Sequence, residues 1–357
     1  MALLYSTHKL ISIHNDGVKL MKLYIKEAFS LLGKTMPFIW LRLGTYGLFG
    51  LVMAIYCGLA FGVAWLLGQL IQILGILVFL AALAGAWGIF QWAARYFFYL
   101  LKAAHVAVMT EFIVYGEGPR KSQVAYGKKQ VQDRFRDTSV MFAVDQLLDG
   151  VVRGFNRKFA RVANLLPIPG LDNLTAFVEQ VSKFATTYID EAILSRAYQH
   201  REQNVWAIAS DGVLLYAQAW KPILVNATAL TLLSYVQFIL LLVILAIPAI
   251  LIGLVLPVLK TALGLIVIIG AFVLKLAIAD AFSLASTLIA YHRSTETLEP
   301  DPAWQARLEQ GSKKFVELRQ RATEAMSNMG QRQNQDISPN APQPIDYPTQ
   351  PSTDVDS

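Results

Sequence analysis

The chain has 357 residues, of which 55% are apolar and 16% charged, with a formal net charge of +6. Soluble domains run at about 45–50% apolar and about 25% charged, so these totals argue against a water-soluble globule. A modest basic excess in so apolar a chain marks loops facing anionic lipid, and no nucleic-acid partner is expected. One cysteine, Cys57, excludes an internal disulfide. The five histidines are scattered and show no metal-ligand spacing, so no metal or other cofactor is expected.

The opening "MALLYSTHKLISIH" has too short an apolar core for a signal peptide. Residues 1–42 read as a cytoplasmic amphipathic segment with six Lys/Arg and two Asp/Glu. From Leu43 to Ala94 no charged residue occurs. One crossing helix takes about 20 residues, so this run predicts two spans, near 44–67 and 72–94, turning at "GQLIQ". The helix is expected to continue past Arg95 to about residue 118. In the first span Ala54, Gly58 and Gly62 stand four apart, a spacing that lets helix backbones approach closely in lipid. Packing within the chain and homodimerisation are both open uses of that stripe.

Residues 119–221 predict a cytoplasmic helical region. Its start, "YGEGPRKSQVAYGKKQVQDRFR", is basic but matches no phosphate loop, so Arg120, Lys121, Lys128 and Lys129 are candidate contacts for lipid headgroups. Met141, Val144, Leu148, Val151, Phe155, Phe159 and Val162 recur at steps of three and four, which is one apolar helix face. Asp145, Asp149, Arg153 and Arg157 are placed for i,i+4 pairing. After a break at "LPIPG", Leu174, Phe177, Val181, Ala185, Tyr188 and Ala192 form a second stripe, and the two predict an antiparallel pair. Asp190–Glu191 is not read as a catalytic dyad, because consecutive helix residues point about 100° apart.

Residues 222–292 predict the second membrane hairpin, with spans near 223–254 and 261–290 and a turn at Lys260. Pro248 is placed to kink the third span. Asn226, Thr228, Thr231, Ser234, Ser283, Ser286 and Thr287 either line a polar vestibule or bond their own helices. Residues 293–329 predict a tail helix capped by Asp301 and Pro302 and ending near Ser327. From 330 to 357 the chain is polar and Pro-rich, and disorder is expected.

"DGVKL" (16–20) echoes "DGVLL" (211–215), and "GAWGIFQWAAR" (85–95) echoes "GAFVLKLAIAD" (270–280), with His105 and His292 following. A parallel internal repeat would make Arg95 and Asp280 equivalent, and an ion pair between them is expected. Lys275 falls near the bilayer centre, where ionisable groups mark functional sites by default. Five residues of undistorted helix turn Lys275 and Asp280 about 140° apart, so a direct pair there is not expected.

The outer turns are nearly uncharged, while Arg95 to Lys221 carries sixteen Lys/Arg and twelve Asp/Glu. The chain therefore reads as an all-α polytopic membrane protein of four transmembrane helices in two hairpins, with cytoplasmic amphipathic helices and both termini cytoplasmic, in an inner or plasma membrane. No nucleophile–base pattern or zinc-protease motif is present, so no enzyme is expected. The expected role is a non-enzymatic scaffold or regulator at the cytoplasmic face. Its expected partners are membrane lipid and either a second copy or another membrane protein. The alternative is a small-solute transporter or channel using Lys275, Asp280 and Arg95.

Overall fold

The computed structural model describes residues 24–134, 138–163 and 174–336. Among the described residues every regular element is helical and no strand occurs. "DGVKL", "LPIPG" and the tail beyond Asp336 lie outside them.

Helix α1 (24–34) ends at Thr35, whose hydroxyl donates back to the Leu31 carbonyl at 3.0 Å. Pro37 sits in the first turn of α2 (Met36–Leu70), where a missing N–H costs nothing. A single extended residue, Ile71, separates α2 from α3 (Gln72–Ala93). The two pack along one another. A Cβ on Gly75 would lie 2.6 Å from both Ala64 O and Gly68 Cα, so only glycine permits this approach. Farther in, the Tyr56 hydroxyl donates to Ala82 O at 3.2 Å.

Helix α3 does not stop at Arg95. It passes through a π-helical turn, Ala94–Phe98, into α4 (Tyr99–Tyr115), which ends at left-handed Gly116 with φ 75°. The other long pair has the same device. Helix α9 (Trp220–Val255) carries Pro248 inside it. A short turn, Pro257–Leu259, leads to α10 (Lys260–Leu274), then a π-helical turn, Lys275–Ala279, then α11 (Asp280–Thr295).

Four of these helices are long and apolar enough to cross a membrane: Met36–Leu70, Gln72–Tyr115, Trp220–Val255 and Leu263–Thr295. Only 6% of the most apolar stretch of the first three is buried inside the chain, and 28% of the fourth. Most of their apolar side chains are thus left uncovered by the rest of the chain, although the helices pack on one another in pairs. Among the described residues the charged half of the chain, by contrast, holds one continuous core. It joins α1, the feet of α2, α9 and α11, helix α4, and helices α5 (Gln123–Arg134), α6 (Thr138–Ala163), α7 (Leu174–Gln199) and α8 (Val205–Gln218).

Helices α6 and α7 pack on each other. Val144, Leu148 and Val151 of the α6 stripe are buried, as are Tyr188 and Ala192 of the α7 stripe. The side chains of Met141, Phe159, Val162, Leu174, Phe177, Val181 and Ala185 lie outside the described set. Asp149 pairs with Arg153 at 2.5 Å, as i,i+4 spacing predicts.

The tail departs from its expected form. It is two helices, α12 (Pro302–Gly311) and α13 (Lys313–Asp336), parted by extended Ser312. Helix α13 runs past Ser327 and Gly330 to Asp336; its Phe315, Leu318 and Ala322, at steps of three and four, are buried where it packs on α6 and α8. The Asp301 cap holds, accepting from Ala303 N at 2.7 Å.

Candidate functional site

The ionisable groups gather where the apolar helices enter the charged half. In the π-helical turn the backbone bonds run i→i+5, which widens the turn and brings residues five apart onto one side. Lys275 Nζ stands 3.0 Å from Asp280 Oδ1. The 140° separation of an undistorted helix does not apply, and this corrects the sequence expectation. Tyr188 of α7 donates its hydroxyl to the same Oδ1 at 3.1 Å. Burial, then the Asp280 charge, pushes the Tyr188 phenol well above its ordinary value.

Arg95 does not join this group. It is exposed, within the other π-helical turn, and the ion-pair partner of Asp280 among the described residues is Lys275. The expected Arg95–Asp280 pair is therefore not formed.

Arg42, which sequence reading passed over as the last charge before a span, reaches the π-helical turn through the turn's backbone instead. It is 2% exposed. Its Nη2 donates to the Leu276 carbonyl, inside the π-helical turn, at 2.9 Å. A side-chain donor inserted into a distorted turn satisfies backbone that the regular ladder has released. The guanidinium also lies over the Tyr46 ring, 5.7 Å from its centroid. Nη1 stands 3.5 Å from His105 Nδ1. Arginine only donates, so Nδ1 is the acceptor and the His105 proton sits on Nε2. That nitrogen donates to Thr35 Oγ1 at 3.0 Å, whose own proton goes to Leu31 O. Phe38 stacks on the imidazole, 4.8 Å between centroids and 4° from parallel. The chain Arg42–His105–Thr35 thus ties α2, α4 and α1 to the π-helical turn before α11.

One turn away, Lys102 of α4 forms an ion pair with Glu191 of α7. Asp190 Oδ1 accepts from the Glu191 backbone N–H at 2.9 Å, and Asp145 of α6 and the Tyr99 hydroxyl lie beside them. Burial, and then the neighbouring Asp145 charge, holds the Asp190 carboxyl well above the ordinary carboxylate range. Burial likewise pushes Asp145 up.

The other candidates divide. A Cβ added at Gly58 or Gly62 would meet nothing within 4 Å, so those two glycines face open space and not a neighbouring helix of this chain. Ala54 is half-buried. The close approaches in the first pair fall at Gly68, Gly75 and Gly85. Arg120, Lys121, Lys128 and Lys129 are all exposed. Helix α5 sets Gly127 against α4 at Ala104, which turns Lys128 and Lys129 outward. Arg134 at its end donates to the carbonyls of His200 (3.2 Å), Arg201 (2.8 Å) and Gln203.

Thr228, Thr231, Ser234 and Thr287 donate to their own helices. Asn226 and Ser286 bond each other across α9 and α11, Ser286 Oγ donating to Asn226 Oδ1 at 3.2 Å. Ser195 and His292 are 2.7 Å apart, but the serine is fully buried and its proton goes to Ala192 O at 2.6 Å. That arrangement offers no accessible nucleophile. Among the described residues no group of three or more His, Cys, Asp or Glu side chains is arranged to hold a metal. A cavity of about 300 Å³ is lined by Glu27, Lys34, Phe112 and Arg293 among others, and one of about 470 Å³ by α12 and α13; neither is lined by Lys275 or Asp280.

The chain matches no protein-family model, no curated protein and no solved structure.

Proposed function

We propose that the chain is a multi-pass protein of an inner or plasma membrane that acts without catalysis, as a scaffold or regulator at the cytoplasmic face. The four long helices cross the bilayer as two hairpins, and both termini and helices α5 to α8 lie on the cytoplasmic side. What supports the membrane assignment is the near-complete lack of burial along the apolar helices, which leaves hydrocarbon as their solvent. The excess of Lys/Arg between Arg95 and Lys221 supports the orientation.

The observation that carries the functional reading is that the ionisable groups at the foot of the spans close on one another. Lys275 is met by Asp280, Asp280 by Tyr188, and Arg42 by a backbone carbonyl. Groups so paired fix helices in place, while the exposed basic face at Arg120, Lys121, Lys128 and Lys129 is left for anionic lipid headgroups. A membrane-protein partner or a second copy fits the open face of α2 at Gly58 and Gly62.

The test is purification in mild detergent with mass identification of retained lipids and proteins. Retention of anionic phospholipid, lost when Arg120, Lys121, Lys128 and Lys129 are all changed to Gln, is the expected result. Equal retention by both forms would refute the basic face. The alternative, a small-solute transporter or channel, draws on the 35% exposure of Lys275. Solute flux in proteoliposomes that Lys275→Ala abolishes would favour it over the scaffold.

A further inference from the structure

Helices α4, α6 and α7 meet at a cluster whose charges do not balance. Glu191 is 4% exposed, and one oxygen of its carboxylate meets Lys102. The other oxygen, Oε2, is buried with no hydrogen-bond partner, and so is Oδ1 of Asp145. Two acceptor oxygens thus lack a donor inside one cluster, and a buried acceptor without a donor is costly.

The charges that face this junction can be counted among the described side chains. The cations are Lys102 on α4, Arg42 on α2 and Lys275 before α11; the carboxylates are Asp145 on α6, Asp190 and Glu191 on α7 and Asp280 on α11. Three cations stand against four carboxylates. The Asp149–Arg153 pair on the outer side of α6 adds one of each sign. Tyr99, Tyr188 and Tyr198 are phenols, neutral near pH 7. Farther along the same helices, Lys314 of α13 is paired with Glu317, Arg196 of α7 faces Asp211 of α8, and His292 is bonded to Ser195. Arg134 of α5 is spent on carbonyls. None of these supplies the missing positive charge at Lys102.

We propose that this junction is a proton-binding site: Asp145 and Asp190 hold one proton between them while α4, α6 and α7 are packed, and its release repels α6 from α7. One proton brings the count to four against four. It also gives Asp145 Oδ1, one of the two orphaned oxygens, a donor. Two carboxylates close together cannot both ionise cheaply in a buried place, and they share a proton instead. The raised position of both aspartates agrees with this. Because Lys102 lies on the continuation of the second apolar helix, the site couples the proton to the joint between the long helices and the charged half.

The sign of the linkage follows. A carboxyl whose folded-state affinity for a proton is raised contributes stability at low pH, and that contribution is lost as pH rises through its folded value. The window therefore lies above the ordinary carboxylate range. The experiment uses the full chain in detergent. Infrared absorption of a protonated carboxylic acid is sought at neutral pH in the native chain and in Asp145→Asn, Asp190→Asn and the double variant. The native chain is expected to show the band and the double variant to lose it. Unfolding temperature is followed on the same samples: the native value falls as pH rises through that window, and the Asp190→Asn value stays level and exceeds it at the alkaline end. A native chain with no acid band at neutral pH overturns the proposal, and so does a band that the double variant keeps. If the double variant does not fold, the native spectrum decides alone.

Discussion

Replacing Arg42 tests the joint between the two pairs of long helices. Its Nη2 bond to Leu276 O, at 2.9 Å, connects α2 to the π-helical turn, and its Nη1 holds the tautomer of His105. A hydrogen bond made by a charged group contributes about 1.5–3 kcal/mol. Removing the guanidinium also leaves two buried acceptors, Leu276 O and His105 Nδ1, without a donor, at about 1–3 kcal/mol each. At 2% exposure Arg42 falls in the buried class, and Arg42→Ala loses the stem packing on Tyr46 as well. About 3 kcal/mol is the expected loss, toward the lower end of the sum for two orphaned acceptors. Larger domains shift by about 2–4 °C per kcal/mol, so the unfolding midpoint should fall by about 6–12 °C. Arg42→Met refills most of the volume without the donor and should lose about half as much, near the value of the single charged bond, about 1.5 kcal/mol. The assay is thermal unfolding in detergent followed by tryptophan fluorescence, with the two variants side by side. An Arg42→Ala midpoint within about 3 °C of the native chain, which corresponds to about 1 kcal/mol, would refute the reasoning.

Asp280 should couple energetically to Lys275 and not to Arg95. A double-alanine cycle in the same assay is expected to give about 0.5–3 kcal/mol for the contacting pair and close to zero for Arg95 with Asp280. Gly75→Val places side-chain atoms where Ala64 O and Gly68 Cα now stand, and overpacking of that kind costs about 1–3 kcal/mol; a midpoint unchanged from native would show the α2–α3 contact to be looser than described. Thr35→Val leaves His105 Nε2 without its acceptor and should cost about 1 kcal/mol, measured the same way. The Tyr126 phenol, pushed up to about 12 mainly by burial and by its bond to Glu111, should ionise above the exposed tyrosines in a phenolate absorbance titration, and Tyr126→Phe should remove that step.

Apolar run length made the four long helices legible, since nothing else in a chain spaces charges so far apart. The break at Ile71 falls in the turn read at "GQLIQ"; the second break, Leu256 to Leu259, comes just before the turn read at Lys260. The α6 stripe was legible for the same reason: Val144, Leu148 and Val151 sit at helical period and are buried. The π-helical turns were not. Hydropathy and period say nothing about a change from i→i+4 to i→i+5, yet that change decides whether Lys275 reaches Asp280. Arg42 was hidden by its position. A charge next to an apolar run reads as a flanking residue facing water, and only the fold of α4 and the turn before α11 around it shows it to be inside. Asp145 was read as an i,i+4 partner, whereas the packing of α6 on α7 buries it beside Lys102. Phe315, Leu318 and Ala322 fall within the tail helix that was expected; its extension from Gly330 to Asp336 was not legible, because the run there is polar and glutamine-rich.

The account rests on the apolar helices crossing a bilayer with the charged half on one side. Labelling with a membrane-impermeant maleimide tests this directly, using Lys260→Cys and Lys129→Cys, each in a Cys57→Ser background, in sealed vesicles of both orientations. The account predicts that position 260 is labelled only from the outer face and position 129 only from the cytoplasmic face. Labelling of both positions from the same face would contradict it.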